Sequence, residues 1–313
     1  MSAGTDRLSA IAALLATTSL ASGAARGQLS VPGKGEGALT ATYQYVGDHY
    51  HLTGEGVKVS AGKITGQSLQ LRLDYGLTSR LAVSVTAPYM IKRYVGPSPH
   101  NPDVFDHDDD HDHENIERID DGEYHGGWQD MGVGLRWRWR DRPWAVTPFV
   151  AYSWPSHDYT YFAHSALGTR QKRLALGVFF GRQFGPRFPR LYAQGSYSYT
   201  FVEEVFDISV DYSTVTGEVG YFFTPNVSGR VFATYRKTHG GLEFPSDFPP
   251  PRNTELFLNH DRVQRVDYLN YGLGVGYRVN DRWSLSANWM TTGWGENGHA
   301  IHNAWTVGIS RSF

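Results

Sequence analysis

Cysteine is absent from the 313 residues, which excludes a disulfide scaffold, thiolate zinc sites and cysteine nucleophiles. An excess of one charge is also missing: 29 Lys and Arg stand against 31 Asp and Glu, whereas a nucleic-acid binder would carry a basic surplus. Beyond the N-terminus no window approaches the roughly 20 apolar residues of a membrane-spanning helix. With 19% charged and 40% apolar residues the chain is neither a disordered tail nor a coiled coil. What it has in quantity is glycine (35) and tyrosine, phenylalanine and tryptophan (19, 16 and 9).

Residues 8–25 read LSAIAALLATTSLASGAA, small and apolar after Arg7, and small residues from Ala21 to Gly27 offer A-x-A-like cleavage points. Residues 1–27 are therefore expected to be a signal peptide, leaving 28–313 as one exported domain.

Past this leader, apolar and aromatic residues keep one parity while Gly, Ser, Thr, Gln, Asn or Arg keep the other. In residues 131–139, Met131, Val133, Leu135, Trp137 and Trp139 share one side of a strand, with Gly132, Gly134, Arg136 and Arg138 opposite. The same period recurs at 39–45, 69–75, 81–89, 144–154, 174–180, 191–201, 215–223, 227–235, 273–279, 283–289 and 305–313, which makes twelve strands. Short, turn-forming connections (76–80, 141–142, 185–190, 224–226, 280–281) alternate with long ones at about 48–64, 93–126, 155–168, 202–208, 238–263 and 293–302. A soluble antiparallel sandwich alternates too, but it points its aromatics into a core and does not sort its loops by side. The expected fold is an all-β transmembrane antiparallel barrel of about twelve strands, with short periplasmic turns and long extracellular loops. Phe313, on the parity of Trp305, Val307 and Ile309, resembles the terminal aromatic by which such barrels are handed to their assembly machinery.

Three stretches, YGLTSRLAVSVTAPYM at 75–90, GWQDMGVGLRWRW at 127–139 and YGLGVGYRVNDRWSLSANW at 271–289, resemble the outer-membrane barrel family labelled as meta-pathway phenol-degradation transporter-like. Asp130 matches that family's Gly-Asp strand entry, but Gln129 stands where the family has Gly. The resemblance implies an outer-membrane channel; phenol is not carried over to this chain.

Inward parity names a lining of Arg72, Asp74, Asp130, Arg136, Arg138, Arg140, Arg173, Glu218, Arg230, Arg236 and Arg278, with Gln70, Gln194, Asn270 and Asn288. Two readings stay open. Either the arginines pair with Asp74, Asp130 and Glu218 and fill the interior, or they line a water-filled pore with an anion preference. Inward Gly132, Gly134, Gly177, Gly272, Gly274 and Gly276 imply open space or sharp curvature.

Residues 103–123 carry eleven acids against Arg118, with His107, His111 and His113 among them and His100 and His125 at the flanks. Without this segment and the leader, the chain has a net charge of about +7, so the overall neutrality is segregated. Such a block reads as a solvated loop, or as a weak collector of divalent metal through His107, His111, His113, Asp108 and Asp110. All thirteen histidines are expected in the long connections, none facing lipid or lumen.

Ser156, His157 and Asp158 are adjacent, which is not how a triad converges, so no enzyme and no cofactor is expected beyond that weakly bound metal. The sequence reads as a channel or transporter component of the cell outer membrane. Its expected partners are membrane lipid, the assembly machinery and a small-molecule solute, with no nucleic acid. A surface-binding or adhesin-like barrel, using the Pro-rich segment 245–251 with Phe244 and Phe248, or a metal-collecting one without conduction, is the alternative.

Overall fold

Alternation over ten to sixteen residues becomes long antiparallel strands because period two puts every second side chain on the same face. The computed structural model describes residues 31–60, 62–97, 118–244, 246–248 and 255–313. The signal-peptide expectation for 1–27 lies outside them. The strands are β1 (Gly37–Leu52), the two-residue β2 (Lys58–Val59), β3 (Lys63–Gly76), β4 (Leu81–Val95), the short β5 (His125–Trp128), β6 (Met131–Trp137) and β7 (Ala145–Trp154). They continue as β8 (Arg173–Gln183), β9 (Leu191–Val202), β10 (Tyr212–Phe222), β11 (Val227–Thr238), β12 (Asp267–Arg278), β13 (Trp283–Glu296) and β14 (Gly298–Ser312). Two single-turn helices, α1 (Glu255–Leu258) and α2 (His260–Val263), lie in the β11–β12 connection.

Neighbours in sequence pair in order, and β14 returns to β1 from Ala38↔Ser312 to Leu52↔Gly298, so the sheet closes. Leaving out β2 and β5, which are accessory, twelve strands form the barrel. Closure satisfies the backbone of the two edge strands, a requirement in hydrocarbon. Phe313 seals the seam: its N–H donates to Gly37 O and its carbonyl accepts from Gly37 N, both at 2.9 Å.

Outward parity is apolar and uncovered, as in Leu69, Leu71 and Leu73 on β3, Leu273 and Val275 on β12, and Val307 and Ile309 on β14. A soluble core runs the other way; here a continuous apolar belt faces outward, which is stable only against lipid. Tyr89 packs edge-on to Trp128 at 5.5 Å and Tyr152 stacks on Trp154 at 5.8 Å toward the loop end. Trp139, Trp144 and Trp283 mark the turn end. Three of the turns are closed by one device, a side-chain oxygen accepting the N–H groups two and three residues on: Thr78 in β3–β4, Thr224 in β10–β11 and Asn280 in β12–β13.

Strands run further than the apolar pattern at the loop end. The expected connection 293–302 is instead a hairpin through Asn297 alone, and 48–52 belongs to β1. Asn297 takes a left-handed φ of 52°, a region Asn tolerates better than most residues. The physical reason for the difference is that these ladders continue above the lipid layer, where the outer face no longer needs apolar residues.

Candidate functional site

The inward parity is polar and crowded by ion pairs. Asp74 accepts from Arg72 Nε and Nη2 on its own strand at 2.9 and 3.0 Å, and from Arg136 Nη2, reaching over β4 from β6, at 2.6 Å. Glu218 on β10 accepts from Tyr192 Oη at 2.7 Å and Gln194 Nε2 at 3.0 Å, with Arg230 Nε at 3.6 Å. Asp130 takes Arg173 Nη1 at 2.8 Å and the Tyr159 hydroxyl. Arg236 lies 3.7 Å over the Tyr212 ring. The three acids expected in the lumen are thus each paired with arginine, while Arg236 has no carboxylate among these partners.

Some expected lining residues sit at the mouth. Arg138 donates to Val31 O, and Arg278 to Pro225 O and Asn226 Oδ1, all at the turn end. Arg140 is a correction: it lies past the end of β6, exposed, with Nε donating to Arg142 O at 2.8 Å. The inward glycines are also reinterpreted. A Cβ on Gly132 would lie 2.6 Å from Thr86 Oγ1, so β6 needs glycine for close cross-strand packing rather than for an empty lumen.

Beneath the loops a cavity of about 300 Å³ is lined by Arg72, Arg136, Arg173 and Asp130 and by the stacked rings of Phe149 and Phe179, 4.5 Å apart, with Phe149 the cross-strand neighbour of Arg136. Serine and threonine hydroxyls from β4 and β9–β10 complete it. A second space of about 330 Å³, with Arg190 and Arg278 in its wall, opens at the turn end.

The loop end is covered. Residues 155–172 fold inward, burying Tyr159, Phe162, Ala163, His164, Ser165, Ala166 and Leu167. Asp120 holds this segment by accepting from the backbone N–H of His164 and Ser165 at 2.9 and 2.8 Å and contacting His164 Nδ1 at 3.0 Å. Lys92 Nζ donates to Ala166 O at 2.6 Å and Gln129 Nε2 to Leu167 O at 2.8 Å. Gln129 thus uses the position where the resembled family has glycine to clasp the cover. Above it Phe162, Phe244, Phe248, Phe257, Leu258 and Val263 form an apolar roof drawn from two loops. Burial, and then the neighbouring Asp130, push the Tyr159 hydroxyl well above the ordinary phenol range.

Histidine placement departs from the sequence expectation. His49 and His51 lie on β1, His125 on β5, and His299 and His302 on β14. His51 is 1% exposed, and its ring lies 5.1 Å from that of His299, which in turn is 5.6 Å from His164. His107, His111, His113, Asp108 and Asp110 lie outside the described residues. Among the described residues no group of three or more His, Asp or Glu is placed to hold a metal ion. Ser156 Oγ is 2.8 Å from His157 Nδ1, but Asp158 is turned to Arg170, so the three do not form a relay.

The residues missed in the sequence are Lys92, Tyr94, Asp120, Phe149 and Phe179. Extending the β4 parity by five residues past 89 would have found Lys92 and Tyr94 on the inward side. Asp120 has no mark that separates it from ten other acids.

No family model matches the chain, and no curated protein matches it in sequence. Its fold is similar to the COG4313 outer membrane channel from Pseudomonas putida F1, with a TM-score of 0.67 over 93% of this chain and 100% of that one, at 14% identity. The fold is that of an outer-membrane barrel. The NanC porin (TM-score 0.48, 10% identity, 87% of this chain and 98% of that one) is more distant. So is the translocator domain of autotransporter NalP from Neisseria meningitidis (0.48, 12% identity, 91% of each chain).

Proposed function

We propose that this barrel is an outer-membrane channel for small solutes, closed at its outer end by the 155–172 segment and selective for anions. The observation that carries the reading is the cavity lined by Arg72, Arg136 and Arg173 together with the Phe149–Phe179 pair, inside a barrel whose outer surface is apolar. Guanidinium groups in a low-dielectric wall lower the entry barrier for anions. The likeness of its hairpin stretches to the phenol-degradation transporter-like barrels supports a channel, as does the likeness in fold to an outer membrane channel. No reaction and no cofactor is part of this function. Phe313 at the seam supports delivery by the barrel assembly machinery.

The test is planar-bilayer recording of the purified protein under a potassium chloride gradient. A reversal potential of the sign set by chloride supports the reading. A silent barrel, with the 155–172 segment intact or shortened, overturns conduction; a cation-selective one overturns the anion preference.

A further inference from the structure

The turn end of the barrel carries a charge pattern that extends beyond Arg138, Arg190 and Arg278 at the pore mouth. The segments 31–36, 76–81, 138–144, 182–190, 222–227, 278–283 and 310–313 hold ten arginines and Lys34, against Glu36, Asp141, Asp281 and the chain end. Arg138 and Asp141, 3.7 Å apart, form an ion pair among them. The ring is interleaved with aromatics at the same level: Arg182 lies 6.0 Å over Trp144, and Arg311 lies 5.6 Å over Trp283. Phe188 is 62% exposed beside Arg187, and Trp139 is 60% exposed beside Arg140. Apolar rings at the edge of an apolar belt sit at headgroup depth. Cations snorkelling from that depth meet lipid phosphates first. Almost all of these cations are arginine, whose planar fork matches two phosphate oxygens at once, where lysine offers a point charge.

We infer that the turn-end rim is a binding collar for anionic phospholipid headgroups of the inner leaflet, the guanidinium groups engaging lipid phosphodiesters while the interleaved aromatics set the depth. The inference rests on the outer-membrane reading but not on conduction. A rim of exposed arginines next to lipid, with few carboxylates among them, is complementary to a phosphatidylglycerol-rich leaflet, and it fixes the vertical position and orientation of a barrel whose loop end is acidic.

The full chain, folded into phosphatidylcholine vesicles containing phosphatidylglycerol, is probed with spin-labelled lipids of each headgroup. Expected is a preference of the protein-bound shell for phosphatidylglycerol on the order of fivefold at low salt, falling toward parity as ionic strength approaches about 1 M. The variant combining Arg80→Gln, Arg142→Gln, Arg187→Gln and Arg282→Gln, all exposed positions, should lose most of that preference. If the fourfold variant does not fold, the salt dependence of the wild-type protein and the four single variants decide. Equal association of both lipids with the wild-type barrel, or a preference that the substitutions leave unchanged, overturns the inference. Conductance recorded on the same samples separates the two readings. A conducting barrel without lipid preference sinks the collar alone, and a silent barrel with the preference sinks the channel alone.

Discussion

Arg230 and Asn288 meet across a strand that belongs to neither: from β11 the guanidinium lies over the glycine face of β12 and donates Nη2 to Asn288 Oδ1 on β13 at 2.5 Å. Gly274 makes this possible. A Cβ there would collide with Asn288 Oδ1 and lie 2.8 Å from Arg230 Nε. Gly274→Ala should therefore destabilise the folded barrel by about 1–3 kcal/mol through overpacking, read as a lower urea midpoint in lipid vesicles. Adding Asn288→Ala should recover part of the loss. An unchanged midpoint for the single variant would show that Arg230 has another resting place.

Asp74 is the shared counter-ion of Arg72 and Arg136, and Arg136 is only 3% exposed. Asp74→Asn leaves two guanidinium groups in the wall without a carboxylate. Breaking such a buried pair from one side costs about 3 kcal/mol, and the two freed charges should strengthen anion selectivity. The expected result is a barrel that unfolds at lower denaturant and whose reversal potential moves further toward that of chloride. A move toward cations would contradict the role assigned to this wall.

Period-two parity carried the strand count, the closure partner and the pairing order, because lipid outside and water inside impose opposite chemistry on alternate residues. It failed where lipid ends: Asn297 closes a hairpin in a stretch that reads as a loop, and His51 and His299 face each other on strands with no apolar parity left. The pairing of Asp74, Asp130 and Glu218 with arginine was one of two readings that inward parity left open, and the choice of partner was not legible, since Arg136 reaches Asp74 over an intervening strand. The cover was invisible for a different reason. Asp120 and His164 are 44 residues apart, and only the folded barrel brings their loops together.

Asp120 fixes that cover through three contacts to His164 and Ser165. Hydrogen bonds to a buried carboxylate contribute about 1.5–3 kcal/mol each, so Asp120→Ala should raise the open population by on the order of thirtyfold for each 2 kcal/mol removed. Single-channel recordings should show longer or larger open events at unchanged ion selectivity, because the arginines lie below the cover. Shortening 158–169 should give the same result without the gating transitions. Conductance equal to wild type in both variants would mean that the narrowest section lies elsewhere.

Tyr159 ties the cover to the lumen by donating to Asp130, and burial followed by that carboxylate raises its ionisation above the ordinary value. The sign of the pH effect follows from proton counts. Up to about pH 10 the phenol is neutral in both folded and unfolded chains; above that the unfolded chain releases its proton while the folded one keeps it, so the unfolded state is favoured as pH rises. Stability from this residue is therefore complete below about pH 10 and is lost on going alkaline. Tyr159→Phe removes the titrating group together with a hydrogen bond to a charged acceptor, a loss of about 1.5–3 kcal/mol. At about pH 8 the variant should unfold at lower denaturant than the wild-type barrel, and between about pH 8 and pH 11 its midpoint should fall less steeply. Parallel falls in the two proteins would assign the alkaline sensitivity to other tyrosines and leave Tyr159 a purely mechanical anchor of the cover.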